Sequence, residues 1–319
     1  MTNRRKFLRD SAALSMASLL LPGLGRAGIF NPGKPAMPSI GLQLYTVSNY
    51  MASDPKGTLQ KLAAIGYKEV ESAGSPKGNW YGFTPKEFSA MVKDAGLTWR
   101  SAHVGGFPLS MEGILKLART AEDSAKIKQM EPMLKSMAKM PNLKDNAQQL
   151  ADEAAEGGLS YLVCSAIPMG TMDETKVAVE VLSKAGEACR KNGVQFAYHN
   201  HNFEFVPING VVPLEYLFAH TDKDLVKSEM DLGWTIVAGQ DPIDWFRKYP
   251  GRFPLWHVKD MDKNTKEPTE LGSGFIDFKR IFDQKDLAGM KYFFIEQDGA
   301  PKPMDNVTNS YNNLKKVLG

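Results

Sequence analysis

The chain has 319 residues, 43% of them hydrophobic and 24% charged, with a formal charge of +3. That composition is ordinary for a soluble globular protein, and so small a charge gives no footing for a nucleic-acid backbone. Two cysteines, Cys164 and Cys189, are too few for a disulfide scaffold, and Cys164 lies in an apolar run that reads as core. The length admits two ordinary domains or one α/β barrel, which commonly takes roughly 250 residues.

The first residues read as a leader. Asn3-Arg4-Arg5-Lys6-Phe7-Leu8-Arg9 resembles a twin-arginine export signal, an apolar stretch follows over residues 12–21, and Gly25 and Ala27 suit cleavage after Ala27. The apolar stretch is short of the roughly 20 residues that span a bilayer, so no stable membrane anchor is expected. The leader carries five basic residues against Asp10, and its removal lowers the formal charge from +3 to about −1. The resemblance implies a periplasmic or otherwise exported protein that travels already folded. The expected organisation is a signal peptide over 1–27, a lead segment over 28–37 and one domain over 38–319.

After the leader, eight short apolar runs recur. They are Ile40-Gly41-Leu42-Gln43-Leu44-Tyr45, Glu69-Val70-Glu71, Trp99-Arg100-Ser101-Ala102-His103, Tyr161-Leu162-Val163-Cys164, Gln195-Phe196-Ala197-Tyr198, Val226-Lys227-Ser228-Glu229-Met230, Leu255-Trp256-His257-Val258 and Tyr292-Phe293-Phe294-Ile295. Segments of helical period separate them. Thr84-Pro85-Lys86-Glu87 and Asp241-Pro242-Ile243-Asp244 start helices, while Ala95-Gly96, Ile65-Gly66 and Asn192-Gly193 end them. Strand and helix alternating eight times predict a single (β/α)8 TIM barrel. A doubly wound sheet would call for a glycine-rich turn after the first strand, where this chain has Tyr45-Thr46-Val47-Ser48. The longer stretch over 111–158 reads as an excursion of more than one helix.

Barrels place chemistry at the carboxyl ends of their strands. Glu71, His103, His199, His201, Glu204, Asp231, His257, Lys259, Asp260 and Glu296 all fall at such ends, and four of the five histidines are among them. Glu71, beside Lys68 and Glu69, reads on its own as a polar strand edge. Imidazoles and carboxylates converging on one mouth suit a divalent ion (Mn, Mg, Co, Zn or Fe) and not a thiolate site. Trp80, Tyr81, Tyr45 and Trp234 are candidates to stack on a sugar ring.

In their order and spacing, Ile40-Gly41-Leu42-Gln43-Leu44-Tyr45, Met230-Asp231-Leu232-Gly233, His257-Val258-Lys259-Asp260, Leu271-Gly272-Ser273-Gly274-Phe275-Ile276-Asp277-Phe278 and Phe294-Ile295-Glu296 resemble the xylose isomerase-like TIM barrels, the sugar phosphate isomerases and epimerases. The resemblance covers roughly residues 38–317. It implies one divalent metal held by Asp231, His257 and Glu296, with His199 where the family typically has glutamate; His201 and Glu204 are the other candidates for that place. It also implies proton abstraction next to a carbonyl, with Glu296, His199 or His201 as base and Lys259 or His103 facing the developing oxyanion. Glu204, Trp234 and Glu71 are candidate substrate contacts. An exported protein points to a non-phosphorylated sugar, keto-sugar or polyol. The expected activity is an isomerase or epimerase, with a lyase or dehydratase on a 3-keto-glycoside or inosose, or a non-catalytic sugar-binding barrel, as alternatives. The same barrel serves DNA-repair nucleases, but the charge and the histidine count oppose a nucleic-acid partner. A homo-oligomer is allowed.

Overall fold

The computed structural model describes residues 39–107, 125, 128–129, 131 and 139–319. The expected leader, its cleavage site and the lead segment lie outside the described residues, as does most of the first part of the 111–158 excursion.

Eight parallel strands close into a barrel. In chain order β1 is Gly41–Gln43, β2 Glu69–Ser72, β3 Thr98–Gly105, β4 Tyr161–Ala166, β5 Gln195–His199, β6 Val226–Asp231 and β7 Leu255–Val258. A two-stranded antiparallel hairpin, β8 (Asp260–Met261) with β9 (Pro268–Thr269), precedes the last barrel strand, β10 (Tyr292–Ile295). The barrel order is β1-β10-β7-β6-β5-β4-β3-β2, so the expected (β/α)8 architecture is observed. The hairpin is an addition that the apolar pattern does not announce, because its strands are two residues each.

The helices start where the turn chemistry directs. Thr84 caps the helix Pro85–Asp94 through a reciprocal pair with Glu87, and Pro85 loses nothing at a position whose N–H has no partner in the helix. Thr171 and Glu174 repeat the device at Met172–Lys191. Asp241 caps Pro242–Lys248. Gly66 closes the helix Pro55–Ile65 at φ 126°, and a Cβ there would sit 2.5 Å from the Tyr311 hydroxyl, so the position admits glycine alone without rearrangement. Within the excursion, Leu143–Glu156 is helical and capped by Asn142. Among the described residues, no helix is long and apolar enough to cross a membrane.

Side chains alternate across each strand, so residues two apart share a face. In the barrel interior one apolar layer consists of Tyr161, Val163, Ala197, Leu255 and Phe294. Stepping two residues on from Ala197, Leu255 and Phe294 leads to His199, His257 and Glu296. The packed layer is therefore the floor on which the polar residues stand. Trp80 and Tyr81 belong to a different core: Trp80 donates its indole N–H to Glu153 at 2.7 Å and packs edge-on against Trp99, while Tyr81 packs on Phe88. Both are buried in ordinary packing, which corrects the expectation that they form a sugar platform.

Candidate functional site

Register decides which strand-end residues meet. Asp231 pairs with His257 across β6 and β7, His257 with Phe294 across β7 and β10, and His199 with Glu229 across β5 and β6. The result is two groups of ligand-capable side chains that share His257. One is His103, His199, Glu229 and His257; the other is Asp231, His257 and Glu296. Within each group the ligand atoms lie within 4.8 Å of one another, and every member is buried.

The deeper group centres on Glu229. Its Oε2 is 2.6 Å from His103 Nε2, 3.1 Å from His199 Nδ1 and 3.1 Å from His257 Nε2. Glu71 Oε1 lies 3.0 Å from His103 Nε2 and 2.7 Å from His257 Nε2, and accepts a further hydrogen bond from Gln43 Nε2 at 2.7 Å. Glu71 is thus fully buried among imidazoles, and the polar edge suggested by Lys68 and Glu69 is not what forms. A register irregularity against β3 falls between Val70 and Glu71, the place where the strand turns this carboxylate inward. Glu229 and Gln43 were not among the expected site residues. The available signal was the two-residue step: Glu229 precedes Asp231 by two on the same strand and so faces the same interior.

The second group is organised by Lys259. Its ammonium lies 2.9 Å from Asp231 Oδ2, 2.8 Å from Glu296 Oε2 and 2.7 Å from Asp298 Oδ2, and 5.2 Å over the Trp234 ring. Glu296 Oε2 is also 2.7 Å from His257 Nδ1. The backbone brings this lysine close because Gly233 lies against it; a Cβ on Gly233 would stand 2.8 Å from the Lys259 carbonyl oxygen. Asp231 caps the helix Leu232–Val237 through Trp234 N–H at 2.8 Å, which fixes its other oxygen toward Lys259. Asp260 faces elsewhere, accepting from the amides of Met261, Gly272, Gly274 and Ile276, so it anchors the 270–277 loop.

The turn after β5 separates its two histidines. His199 Nε2 is 4.0 Å from Asp231 Oδ2, and its ring belongs to the deeper group. His201 is part-exposed, stacks on Phe203 and lies 6.5 Å from Trp234 ring to ring, outside both groups. Glu204 is fully buried, accepting from the Tyr198 hydroxyl at 2.6 Å and the His201 amide at 3.0 Å; it braces the turn from within.

Charge is shared unequally. Burial alone would raise Glu296 and Glu71, yet Lys259 and His257 hold Glu296 well below the usual carboxylate range, and His103 and His257 do the same for Glu71. Burial opposes charge on His103, but Glu71 and Glu229 raise it to about 9. His257 is raised well above the usual imidazole range by Glu229 and Glu296 against the same opposition. His199 goes the other way: burial, then His257 and His201, keep it neutral. Burial and the neighbouring Glu71 raise Glu229.

Such a site suits a divalent cation. Glu71 Oε2 and Glu229 Oε1 are buried without a hydrogen-bond partner, a costly arrangement for carboxylate oxygens unless a cation faces them. Three imidazoles beside carboxylates form a donor set for Zn, Mn, Co or Fe(II).

Comparison with known proteins agrees with this architecture. An inosose dehydratase of Lacticaseibacillus casei is 28% identical over 167 residues, 46% of this chain and 55% of that protein. One of Clostridium beijerinckii is 26% identical over 185 residues, 51% of this chain and 61% of its own. The chain thus spans little more than half the length of these relatives. A solved sugar phosphate isomerase/epimerase from Parabacteroides distasonis superposes with a TM-score of 0.68 at 26% identity, covering 90% of this chain and 97% of that one. Residues 59–316 match the xylose isomerase-like TIM barrel model, and the chain belongs to that family.

Proposed function

We propose that this chain is an exported, metal-dependent lyase that removes a proton beside the carbonyl of a non-phosphorylated keto-sugar or polyol and expels water from the neighbouring carbon. One observation carries the choice of elimination. Of the three glutamates that converge on His257, Glu296 keeps 6% exposure while Glu71 and Glu229 keep none. Glu296 is thus the one glutamate of the three that reaches the mouth, and the more exposed carboxylate beside it, Asp298, is paired with Lys259, whereas inverting a carbon by proton exchange calls for a base on each face of the substrate. Inosose dehydratases among the relatives support the same class.

Each protein group then has a task. Glu296, held ionised by Lys259 and His257, takes the proton from carbon. The electron pair of the broken C–H bond forms the new double bond as the C–O bond on the adjacent carbon breaks. His201 or His103 gives the departing hydroxide its proton. Lys259 stabilises negative charge gathering on the carbonyl oxygen, and it does so without reorganisation because three carboxylates already fix its position. His257, the imidazole common to both groups, would be a ligand of a divalent metal, whose positive charge would make the C–H next to a carbonyl more acidic. Trp234, with Lys259 over its ring, offers an apolar face for the substrate.

The test is incubation of metal-loaded protein with inosose, a 3-keto-glycoside and free ketoses in deuterated water. A product lighter by one water is expected from a keto substrate. Inversion or isomerisation with deuterium at carbon and no loss of water would replace the lyase by an isomerase or epimerase. Binding with neither exchange nor product would leave a sugar-binding barrel. The export reading has its own test. The exported protein should begin at Gly28, and replacing Arg4 and Arg5 by lysine should keep the precursor inside the cell; an exported chain with its first residues intact would overturn it.

A further inference from the structure

We propose that Glu204 and Asn200 are positioning residues that hold His201 at the mouth, and that His201, not His103, protonates the leaving oxygen. Resting on the elimination reading above, this narrows its acid to one imidazole. Strand β5 ends at His199, so the ladder does not reach the His201 peptide, and buried side chains take over both of its polar groups. Glu204 Oε2 accepts the His201 N–H at 3.0 Å, and Asn200 Nδ2 donates to the His201 carbonyl at 3.3 Å. Both clamping residues are fully buried. Asn200 also donates to Thr235 Oγ1 at 3.2 Å and accepts from the Asp231 N–H at 3.3 Å, which ties the turn to β6 and to the helix that carries Trp234. The Phe203 ring, stacked on the imidazole at 5.5 Å, limits its swing.

The clamp needs a carboxylate. The other oxygen of Glu204 accepts from the Tyr198 hydroxyl at 2.6 Å, so two buried donors converge on one group. A glutamine places an acceptor at only one of them, and the other donor is left buried without its acceptor.

The two candidate acids differ in access. His103 is buried, and its Nε2 is held by Glu229 and Glu71 at 2.6 and 3.0 Å. The His201 side chain keeps 32% exposure while its Nδ1 is buried, so the open edge of the ring lies away from Nδ1. The Lys259 ammonium is 5.2 Å over the Trp234 ring and the His201 ring is 6.5 Å from it, so a sugar ring laid against this indole meets the ammonium and the imidazole together. In the elimination Glu296 takes the proton from carbon, and the electron pair of that bond forms the double bond as the C–O bond breaks. The proton on His201 Nε2 passes to the leaving oxygen, water departs and the imidazole is left neutral. Transfer of the proton from Glu296 to His201 through solvent closes the cycle.

The experiment compares two leaving groups in the full-length protein supplied with a divalent metal. One substrate is a cyclic keto-polyol, which must expel hydroxide; the other is its analogue with fluorine in place of the hydroxyl beta to the carbonyl, whose fluoride departs unprotonated. His201→Ala should slow loss of water by about 10²-fold or more and leave fluoride release within about threefold of the parent. Glu204→Gln should reproduce that selectivity at about tenfold, in kcat more than in KM. Fluoride release by the same preparation reports that the base and the fold are intact. Equal slowing of both leaving groups in these variants would make the turn a structural support alone and overturn the proposal, as would the same selectivity in His103→Ala. Parental loss of water from Glu204→Gln would strike out its positioning role. An unsubstituted protein that releases neither water nor fluoride would instead overturn the elimination reading itself.

Discussion

The two groups that meet at His257 contain similar residues and differ in what balances their carboxylates. At the mouth a lysine ammonium does it, with Asp231, Glu296 and Asp298 all within 2.9 Å. One layer down, imidazoles face Glu71 and Glu229, and their charge depends on pH. A permanent charge preorganises a site for transition-state stabilisation, whereas a conditional one makes a site that accepts a cation. The same barrel face thus carries two electrostatic designs, separated by the two-residue pleat of the strands.

The sharpest way to break this division is Glu296→Gln. On the proposed role of Glu296 as general base, its loss should lower turnover by about 10²- to 10⁴-fold, measured by appearance of the dehydrated product. Melting temperature should stay near that of the parent, because Asp231 and Asp298 still hold Lys259. Turnover near that of the parent would remove Glu296 as the base.

Lys259→Met tests the permanent charge directly. It leaves Asp231 buried without its nearest cation and Glu296 with His257 alone, and breaking a buried pair from one side costs about 3–5 kcal/mol. Urea unfolding should show that loss at neutral pH. A change within 1 kcal/mol, on the scale of an exposed pair, would mean that the mouth is better hydrated than its burial implies.

The conditional charge shows itself in pH. The folded value for His103 is about 9 against 6.5 in the unfolded chain, so its protonated form favours folding. That contribution is complete below pH 6.5 and disappears as pH rises toward 9. Chelator-treated protein should therefore lose on the order of 2–3 kcal/mol across this window, measured by denaturant titration at several pH values. A flat profile across this window would mean that Glu71 and Glu229 do not hold His103 protonated.

The mouth was largely legible in the sequence, and so were the imidazoles beneath it, but the carboxylates those imidazoles face were not. Asp231, His257 and Glu296 end their strands, where barrels place chemistry, and they sit in short recurring strings. Glu229 is inside an apolar strand, and nothing in Ser228-Glu229-Met230 marks it until the alternation is followed back from Asp231. Glu71 looked like a solvated edge because Lys68 and Glu69 precede it, and its contact with His257 joins residues 186 positions apart. Such contacts follow from barrel closure and register, which local pattern does not contain. His199 illustrates the same limit. Its strand-end position was evident, but which of its nitrogens faces Glu229 and which faces Asp231 depends on the paired strand. Trp80 and Tyr81 err in the opposite direction, being aromatic and near a strand end yet turned into the packing beside Trp99.

The smallest effect expected is also the one that tests how the ammonium divides its attention. Asp298 is the most exposed of the three carboxylates on Lys259, at 32% against 0% for Asp231 and 6% for Glu296. Solvent screens it, and Asp298→Asn keeps an oxygen able to accept from the lysine, so stability should fall by no more than about 1 kcal/mol. Activity should fall less than with Glu296→Gln, since Lys259 remains fixed by its two buried partners. A drop approaching that of Lys259→Met would mean that the exposed aspartate, and not the buried pair, sets where the ammonium points. In that case the permanent charge would be as conditional as the imidazoles beneath it.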